Sequence, residues 1–363
     1  MAPKPEDRVI PPWIAGPMLS AAVAWPLLRL VERSGAKLGL MDWPNERSSH
    51  GRPTPRGGGV AIVIGTFAGL LLYAALGGTA FTRPFLAYLA SALLVAGVSL
   101  ADDLRPMSPL LRLATHVVAA GILLLSCGPV TSLSLPGGRV LALGGLGWVV
   151  GGVWLVGLTN VYNFMDGIDG LAGGQAVIAG AAWSVLGDLA GNPLVTGLGL
   201  SLGASSLLFL TRNWSPARLF MGDAGSAFLG YTFAAFPLLV AGASPGSAGP
   251  SSGAALVQGA LIVWPFLFDS TLTLVRRAHR GEPLLRPHRG HLYQRLVSGG
   301  WSQARVSAVY LLLGVVGAMS ALAWTQASAP LSWLITLAPL ALGGALWGNV
   351  LHREREPARL PEP

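Results

Sequence analysis

Long apolar stretches without charge recur along the whole of this 363-residue chain. A lipid bilayer has a hydrocarbon core of about 30 Å, which a helix of roughly 20 apolar residues crosses. Backbone polar groups find no water there, so such stretches adopt helices in a membrane. We predict an all-α, polytopic integral membrane protein that forms a single domain over residues 1–363. Eleven transmembrane helices are predicted, near residues 9–28, 57–77, 84–101, 113–130, 140–159, 171–187, 193–210, 224–243, 254–275, 306–326 and 330–350.

One of these stretches has a competing interpretation. The N-terminal stretch has the length of a signal peptide, but prolines break it and no small-residue cleavage site precedes a polar start. We therefore keep it as a span. The stretch at 171–187 is rich in Gly and Ala and is the weakest of the eleven.

The distribution of cationic residues predicts the orientation of these spans. With the N-terminus outside, 20 of the 24 Lys and Arg residues fall in inner loops or their flanks. Cytoplasmic loops of membrane proteins carry such an excess of Lys and Arg. The C-terminus is then cytoplasmic, and a count of ten spans would remove the asymmetry.

Composition limits the classes of function. Only 11% of the residues are charged and the net charge is +8, so the basic excess of this apolar chain belongs at a membrane surface. A disordered or nucleic-acid-binding protein is excluded. Cys127 is the single cysteine, so the chain forms no internal disulfide or zinc cluster, and we expect this residue to be a small buried hydrophobe.

Two adjacent carboxylates, Asp102 and Asp103, close the third predicted span on its inner side. A helix C-terminus disfavours anions, and neighbouring carboxylates repel each other. We therefore expect a cation beside the pair, which is Arg105, Arg112 or a metal ion. The alternative is an ordinary interfacial pair at the end of a helix that Pro106 terminates.

The segment NVYNFMDGIDGLAGG at 160–174 is the most specific polar motif. Asn160, Asn163, Asp166 and Asp169 recur at every third residue, which would spread them around half of an α-helix. Because four glycines lie among them, we expect a loop that enters a helix and binds an oxygen-rich ligand. A polar turn with Asx caps is the alternative, but it accounts for only one or two of the four residues.

Two further carboxylates lie at or within predicted spans. Asp223 precedes the eighth span in FMGDAGS, where an N-cap is the simplest interpretation. The functional alternative is a Mg²⁺ ligand, because Mg²⁺ commonly bridges protein carboxylates to substrate phosphates. Asp269, inside the ninth span, is equally well explained as a functional carboxylate or as a hydrogen-bond partner of neighbouring helices.

The largest predicted inner loop, residues 276–303, is strongly basic and carries three histidines. Its arginines suit an anionic membrane surface, but the grouping PHRGHLYQ, with His288, His291 and Tyr293, suits a phosphate-rich ligand better. A zinc site is disfavoured because the histidine pair has no evident third ligand. Arg286 flanks this group and is expected to attract an anionic substrate.

Taken in order along the chain, these motifs resemble those of the polyprenyl-phosphate N-acetylhexosamine-1-phosphate transferases, the MraY/WecA superfamily or glycosyltransferase family 4. The resemblance covers nearly the full chain, from GLMDWPNERSSHGRPTPRGGG at 39–59 through ADDLR, NVYNFMDGIDGLA and FMGDAGSAFLG to RPHRGHLYQ. The MraY branch has a run of adjacent histidines and ten spans. The HLYQ form and the eleven predicted spans are more similar to the WecA branch, which initiates O-antigen and related surface glycans.

This resemblance implies a reaction and a location. A UDP-N-acetylhexosamine would give its sugar-1-phosphate to undecaprenyl phosphate, with Mg²⁺ as cofactor and UMP as the second product. The site would lie on the cytoplasmic face of the bacterial cytoplasmic (inner) membrane. A homodimer is left open, and nucleic acid is not an expected partner. The sequence names neither the sugar nor the downstream polymer.

The resemblance also implies roles for individual residues. Asp102 and Asp103 would be the catalytic acidic pair, one of them a base or an orienting group for the attacking phosphate. His291 would be catalytic as well, acting on the transferring phosphate. The metal ligands would be Asn163 and Asp223. The substrate-binding residues would be Asn160, Asp166, Asp169, Arg112, Arg286 and His288.

Two other functions remain open at this point. One is the phospho-N-acetylmuramoyl-pentapeptide transfer of the MraY branch. The other, from a different class, is secondary transport, although transporters usually show paired repeats and sites at the membrane midplane. The polar residues of this chain gather instead at one predicted membrane surface.

Overall fold

The computed structural model describes residues 10–44, 52–241, 251–283, 289–324 and 326–355. Over these residues the fold is helical with two short antiparallel hairpins, so the predicted all-α class is confirmed for them. The helices are α1 (Pro12–Ser34), α2 (Gly58–Gly77), α3 (Arg83–Leu104), α4 (Pro109–Cys127), α5 (Leu146–Phe164), α6 (Leu171–Leu189), α7 (Pro193–Asn213), α8 (Asp223–Ala241), α9 (Ser252–Ile262), α10 (Trp264–His279), α11 (Leu292–Ser298), α12 (Gln303–Trp324) and α13 (Ala329–Arg355). The paired strands are β1 (Met41–Asp42) with β2 (Thr54–Pro55), and β3 (Ser132–Ser134) with β4 (Val140–Ala142).

Every predicted stretch contains a helix, but fewer than eleven helices are clear spans. In the described chain eight helices are long and apolar enough to cross a membrane, and the bent pair α9–α10 adds a ninth if it counts as one span. α5 and α6 are not among them. Polar residues account for this, Asn160 and Asn163 in α5 and Gln175 and Asp188 in α6. The chain is an integral membrane protein, whereas eleven spans and their orientation stay a prediction.

The second hairpin and the prolines account for three differences between the predicted stretches and the observed helices. The stretch 140–159 begins in β4, and α5 starts only after that strand. The stretch 113–130 begins a turn too late, because Pro109 occupies the first turn of α4, where its missing N–H costs nothing. α1 continues through Pro17 and Pro26, so these prolines do not break the first helix as the sequence suggested.

Close packing of α2 against α8 sets the position of the polar cluster described below. An added Cβ at Gly59 would lie 2.2 Å from Cα of Gly225, so the two backbones touch. Gly222, just before α8, has a φ of 78°, in the left-handed region that glycine adopts without strain. Small residues let membrane helices approach in this way. The start of α8 is therefore fixed against the start of α2.

Three interhelical loops meet at one end of the bundle, here called the acidic end. They join α3 to α4, α5 to α6 and α7 to α8, and the segment before α2 lies beside the third, with the Gly58 N–H donating to the Phe220 carbonyl oxygen at 2.9 Å. The carboxylates at this end are Asp102, Asp103, Asp166, Asp169 and Asp223. Carboxylates far apart in sequence are thus brought to one surface of the fold.

A bend of 81° separates α9 from α10. α10 packs against α5, α12 and α13, and the short helix α11 follows it beside α12. This arrangement brings the segment that begins at Gly290 toward the end of α5.

Cysteine labelling tests the predicted orientation. In a Cys127→Ala background, Ala278→Cys places a thiol at the exposed end of α10, and Ala142→Cys places one in exposed strand β4. We expect an impermeant maleimide to label intact cells at Ala142→Cys only, and Ala278→Cys after lysis, because the basic α10 end is predicted to be cytoplasmic. Labelling of Ala278→Cys in intact cells would contradict this orientation.

Candidate active site

Asp102, Arg112 and Asp223 come together at the acidic end from α3, α4 and α8. Nη1 of Arg112 lies 3.0 Å from Oδ2 of Asp102 and 2.9 Å from Oδ2 of Asp223. Arg112, one of the three cations considered from the sequence, is therefore in contact with the acidic pair through Asp102. The Arg112 and Asp223 side chains are each 34% exposed, so a ligand can reach this cluster.

Asp103 has a different role from its neighbour Asp102. Its Oδ1 accepts a hydrogen bond from the Asp223 N–H and its Oδ2 accepts one from the Ala224 N–H, each at 3.0 Å. The buried Asp103 carboxylate thus satisfies the N-terminus of α8, where the helix dipole favours an anion. The Arg56 guanidinium donates to the Asp103 carbonyl oxygen. Asp103 fixes α8, while Asp102 faces the exposed cluster.

The side chain of Asp223 is directed into the cluster. Nδ2 of Asn163 donates to Oδ1 of Asp223 at 3.0 Å and to Oγ of Ser226 at 2.8 Å. The carboxylate of Asp223 also shares Nη1 of Arg112 with that of Asp102. Because Asp103 binds the first N–H groups of α8, the structure gives the capping role to Asp103 and leaves Asp223 to the cluster.

The segment 160–174 is divided between a helix and a loop. Asn160 and Asn163 lie on the last turns of α5, where the sequence predicted a loop, and only residues 165–170 form the loop before α6. Nδ2 of Asn160 donates to the Val156 carbonyl oxygen at 2.7 Å and lies 3.3 Å from Nδ1 of His116. The spacing of the four polar residues therefore spans the helix end, and they do not share one face.

The hydrogen bonds of Asp169 are to residues outside the cluster of Asp102, Arg112 and Asp223. Its Oδ2 accepts a hydrogen bond from the Ala217 N–H at 2.9 Å. Its backbone N–H donates to Oε1 of Gln303, and its carbonyl oxygen accepts from the Ser307 hydroxyl. These bonds tie the α5–α6 loop to α12. The substrate-binding role of Asp169 stays a prediction.

Asp166 lies in the same loop near the other carboxylates. Its pKa is raised to about 8, first because the surrounding protein removes water from it and then because the charges of Asp223, Asp103 and Asp169 repel a further anion. The acidic end therefore concentrates negative potential on one loop. A positively charged ligand or ion would relieve it.

His291 lies beside the end of α5, next to the helix turn that carries Asn163. It is the N-cap residue of α11, it is buried, and its ring centroid lies 6.3 Å from that of Phe164. The Tyr293 hydroxyl donates to the Phe164 carbonyl oxygen at 3.0 Å. α11 is thus attached to the residue that follows Asn163. The other two predicted residues of this region, Arg286 and His288, lie outside the described residues.

Three side chains at this end were missed by the sequence reasoning. Ser226 binds Asn163, Arg56 binds the backbone of Asp103, and buried His116 contacts Asn160. Arg56 lies in a motif that the sequence analysis quoted but counted only as positive charge. His116 lies one helical turn after Arg112, and this spacing puts both residues on one face of the helix. Because His116 lies within an apolar stretch, the sequence places it in a predicted membrane span and does not mark it as a site residue.

The cluster offers oxygen donors of the kind that bind Mg²⁺, but it does not form a complete set of ligands. Among the described residues no three His, Cys, Asp or Glu side chains are grouped so as to hold a metal ion. Asp102 and Asp223 nevertheless share one cationic nitrogen, and the Asn163 amide is bonded to Asp223. Carboxylate and amide oxygens are the ligands of Mg²⁺, which leaves further positions to water and substrate phosphates. These donors fit a Mg²⁺ ion.

The fold and the cluster together define the class of protein. It is an integral membrane protein in which carboxylates, amides and a guanidinium form a ligand-accessible group at one end of the helices. The chain belongs to glycosyl transferase family 4, whose family model matches residues 85–241. The match contains α3 to α8 and with them the whole Asp102, Arg112, Asn163 and Asp223 cluster. The family resemblance of the motifs is thereby confirmed.

Individual relatives extend the similarity over most of the chain. The probable undecaprenyl-phosphate N-acetylglucosaminyl 1-phosphate transferase of Bacillus subtilis (strain 168) is 32% identical over 308 residues, 84% of this chain and 83% of the relative. The decaprenyl-phosphate N-acetylglucosaminephosphotransferase of Mycobacterium leprae (strain TN) is 31% identical over 329 residues, 82% and 80% of the two chains. The phospho-N-acetylmuramoyl-pentapeptide-transferase of Synechococcus sp. (strain JA-3-3Ab) is 35% identical over only 216 residues, 57% and 60%. Similarity to the WecA-like branch thus covers more of the chain, as predicted.

Proposed function

We propose that this protein transfers an N-acetylhexosamine-1-phosphate from a UDP-sugar to undecaprenyl phosphate and so starts the synthesis of a cell-envelope glycan. The names of the relatives favour N-acetylglucosamine as the sugar and a polyprenyl phosphate as the acceptor. A lipid phosphate oxygen bonds to the phosphorus next to the sugar, and the bond from that phosphorus to UMP breaks. The polysaccharide whose synthesis this reaction starts is proposed to be O-antigen or a related cell-envelope glycan.

The single observation that carries this proposal is the sharing of Arg112 between Asp102 and Asp223. Both carboxylates bond the same nitrogen, Nη1, so the other N–H donors of the guanidinium are available to phosphate oxygens. Phosphoryl transfer depends chiefly on positioning and charge neutralisation, which such a group provides. Asp102 is the member of the acidic pair that orients the attacking lipid phosphate, because Asp103 is engaged with α8.

Mg²⁺ is part of the proposal. Asp223 and Asn163 would hold it, with Asp102 alongside, and when bound it would supply positive charge to the donor diphosphate. His291 is proposed to donate to the transferring phosphate, and Asn160 and Asp166 to line the nucleotide-sugar site. The excess of cationic residues at the same end supports a site on the cytoplasmic face of the bacterial inner membrane.

Release of UMP tests the proposed function. Purified protein is mixed with UDP-N-acetylglucosamine, undecaprenyl phosphate and Mg²⁺, and UMP and the lipid-linked sugar are measured. We expect both products in equal amounts and none after EDTA, with activity restored by Mg²⁺. Preference for the UDP-muramoyl-pentapeptide would favour the peptidoglycan alternative. Movement of intact substrate into vesicles without UMP would favour a transporter.

The loop around His291 is expected to contain two kinds of residue. His291→Ala should lower kcat by roughly 10²-fold, because a positioned donor stabilises the transition state more than the bound substrate. Arg286→Ala should mainly raise KM for the UDP-sugar, since it removes a Coulomb attraction that salt also screens. Both constants are measured at saturating lipid and Mg²⁺. A normal kcat for His291→Ala would remove this loop from the active site.

A further inference from the structure

We infer that Asp269, inside the membrane-spanning bundle, is a positioning residue that holds His291 and the start of α11 against the active site. The role of His291 in this inference rests on the proposed function. The position of Asp269 on α10 follows from the fold alone. Its carboxylate is 1% exposed and lies just beyond the bend between α9 and α10.

The backbone of α11 is bound directly by this carboxylate. Oδ1 of Asp269 accepts from the Leu292 N–H at 2.8 Å, and Oδ2 accepts from the Tyr293 N–H at 3.1 Å. These are N–H groups that the first turn of a helix leaves without an intrahelical partner. A single side chain of α10 therefore binds the N-terminal end of α11 directly.

The side chains around Asp269 complete its hydrogen bonding. Nδ1 of His291 lies 3.1 Å from Oδ1, and the Tyr310 hydroxyl of α12 donates to Oδ2 at 2.7 Å. The Thr273 hydroxyl adds a longer bond of 3.3 Å to Oδ1. A carboxylate bonded to one ring nitrogen of a histidine sets the tautomer and the orientation of that ring. Asp269 thus orients His291 as well as the helix that carries it.

A purely packing role would not require this chemistry. A buried charge is costly unless its oxygens accept several hydrogen bonds, and an apolar residue of similar volume packs α10 without that cost. Two of the donors to Asp269 are consecutive backbone N–H groups at the start of α11, Nδ1 of His291 lies beside the same carboxylate, and the other donors come from α10 and α12. The Asp269 carboxylate therefore binds mainly the N-terminal end of α11.

The second attachment of α11 leads to the active site. The Tyr293 hydroxyl donates to the carbonyl oxygen of Phe164, the residue after Asn163. An added Cβ at Gly167 would lie 2.0 Å from that hydroxyl, so Tyr293 also packs on the loop that carries Asp166. α11 is held by Asp269 on one side and by the end of α5 on the other. Releasing the Asp269 side would let His291 move away from the end of α5.

A double-mutant cycle separates this positioning role from a general contribution to folding. Asp269→Asn keeps the volume but sets an NH₂ group against donors that need an acceptor. We expect it to lower kcat roughly 10- to 100-fold, as the loss of a group that orients a catalytic histidine does, with a smaller change in KM. In a His291→Ala background the same substitution should lower kcat less than twofold further, because both changes remove one function. Losses that multiply, or a normal kcat for Asp269→Asn, would overturn the inference.

Ser270→Ala is the matched control for disturbance of α10. Ser270 is fully buried next to Asp269, and its hydroxyl has no hydrogen-bond partner among the described residues. We expect its kcat to stay within twofold of the wild type. If Asp269→Asn does not yield folded protein, Asp269→Glu takes its place in the cycle, since the longer side chain keeps the charge but displaces the oxygens. The criteria for kcat remain the same.

Limited trypsin digestion provides a readout that is independent of activity. We expect cleavage after Arg289 or Arg295 to be several times faster in Asp269→Asn than in the wild type, and unchanged in Ser270→Ala, because α11 loses its attachment. Equal cleavage rates would overturn the inference. Wild-type protein that releases no UMP would refute the proposed function instead, and the digestion would still show whether Asp269 holds α11.

Discussion

Replacing Asp223 with Asn is expected to abolish sugar-phosphate transfer and to leave the protein folded in the membrane. The Asn side chain has the size of Asp and keeps one acceptor, and the start of α8 is still held by Asp103. The charge that pairs with Arg112 at 2.9 Å is lost, together with a carboxylate for the proposed Mg²⁺. Loss of one preorganised electrostatic group commonly lowers kcat by about 10²–10³-fold, and we expect the upper end of that range.

UMP release and thermal unfolding, measured on the same preparation, decide this prediction. The matched control is Asp188→Asn, a change of the same kind at an exposed residue of the last turn of α6, far along that helix from the acidic end. We expect the control to keep full activity and both variants to unfold within a few degrees of the wild type. Near-normal turnover by Asp223→Asn would mean that its carboxylate is not part of the reaction.

The fold was largely predictable because a membrane requires little of the sequence beyond apolar length. The positions of the helices followed from the length of the apolar stretches. The predicted boundaries and the number of spans were wrong or uncertain where apolar length gives no information. Strand β4 consists of apolar residues and lies close before α5, so the predicted stretch 140–159 joined the strand to the helix. The count of spans depends on whether α5 and α6 are included. Their polar residues contribute to the site and to helix packing. The same residues lower the mean hydropathy by which a membrane span is recognised.

The site was predictable in its members more than in their roles. Asp102, Arg112, Asn163 and Asp223 do come together, because their motifs all stand at helix ends on one predicted side. The sequence could not distinguish Asp102 from its neighbour, since the difference arises from the direction in which α8 points. The same limit applies to Asp269, for which the sequence left function and helix packing equally open. Its hydrogen bonds to α11 depend on the bend between α9 and α10, and no local sequence pattern predicts that bend.

Asp102 and Asp103 are expected to respond differently to the same substitution to Asn. Asp103 is 3% exposed, and both of its oxygens accept backbone N–H groups of α8. Asn can accept only one of these bonds and places an NH₂ group against the other N–H. Hydrogen bonds to a charged group contribute about 1.5–3 kcal/mol each, so Asp103→Asn should destabilise the fold by roughly 2–4 kcal/mol.

For Asp102 the expected loss lies in activity. Its Oδ1 accepts the Met107 N–H at 2.6 Å, a bond that the Asn oxygen can keep, and its ion pair is with a partly exposed Arg112. Such a pair stabilises a fold by about 1 kcal/mol or less. If Asp102 orients the attacking phosphate, Asp102→Asn should lower kcat at least about 10²-fold while the unfolding temperature stays near that of the wild type. Asp103→Asn should lower the unfolding temperature, and kcat with it, because α8 carries Asp223. Measuring both quantities for both variants separates the roles, and equal shifts in unfolding temperature would show that the two carboxylates are not divided in this way.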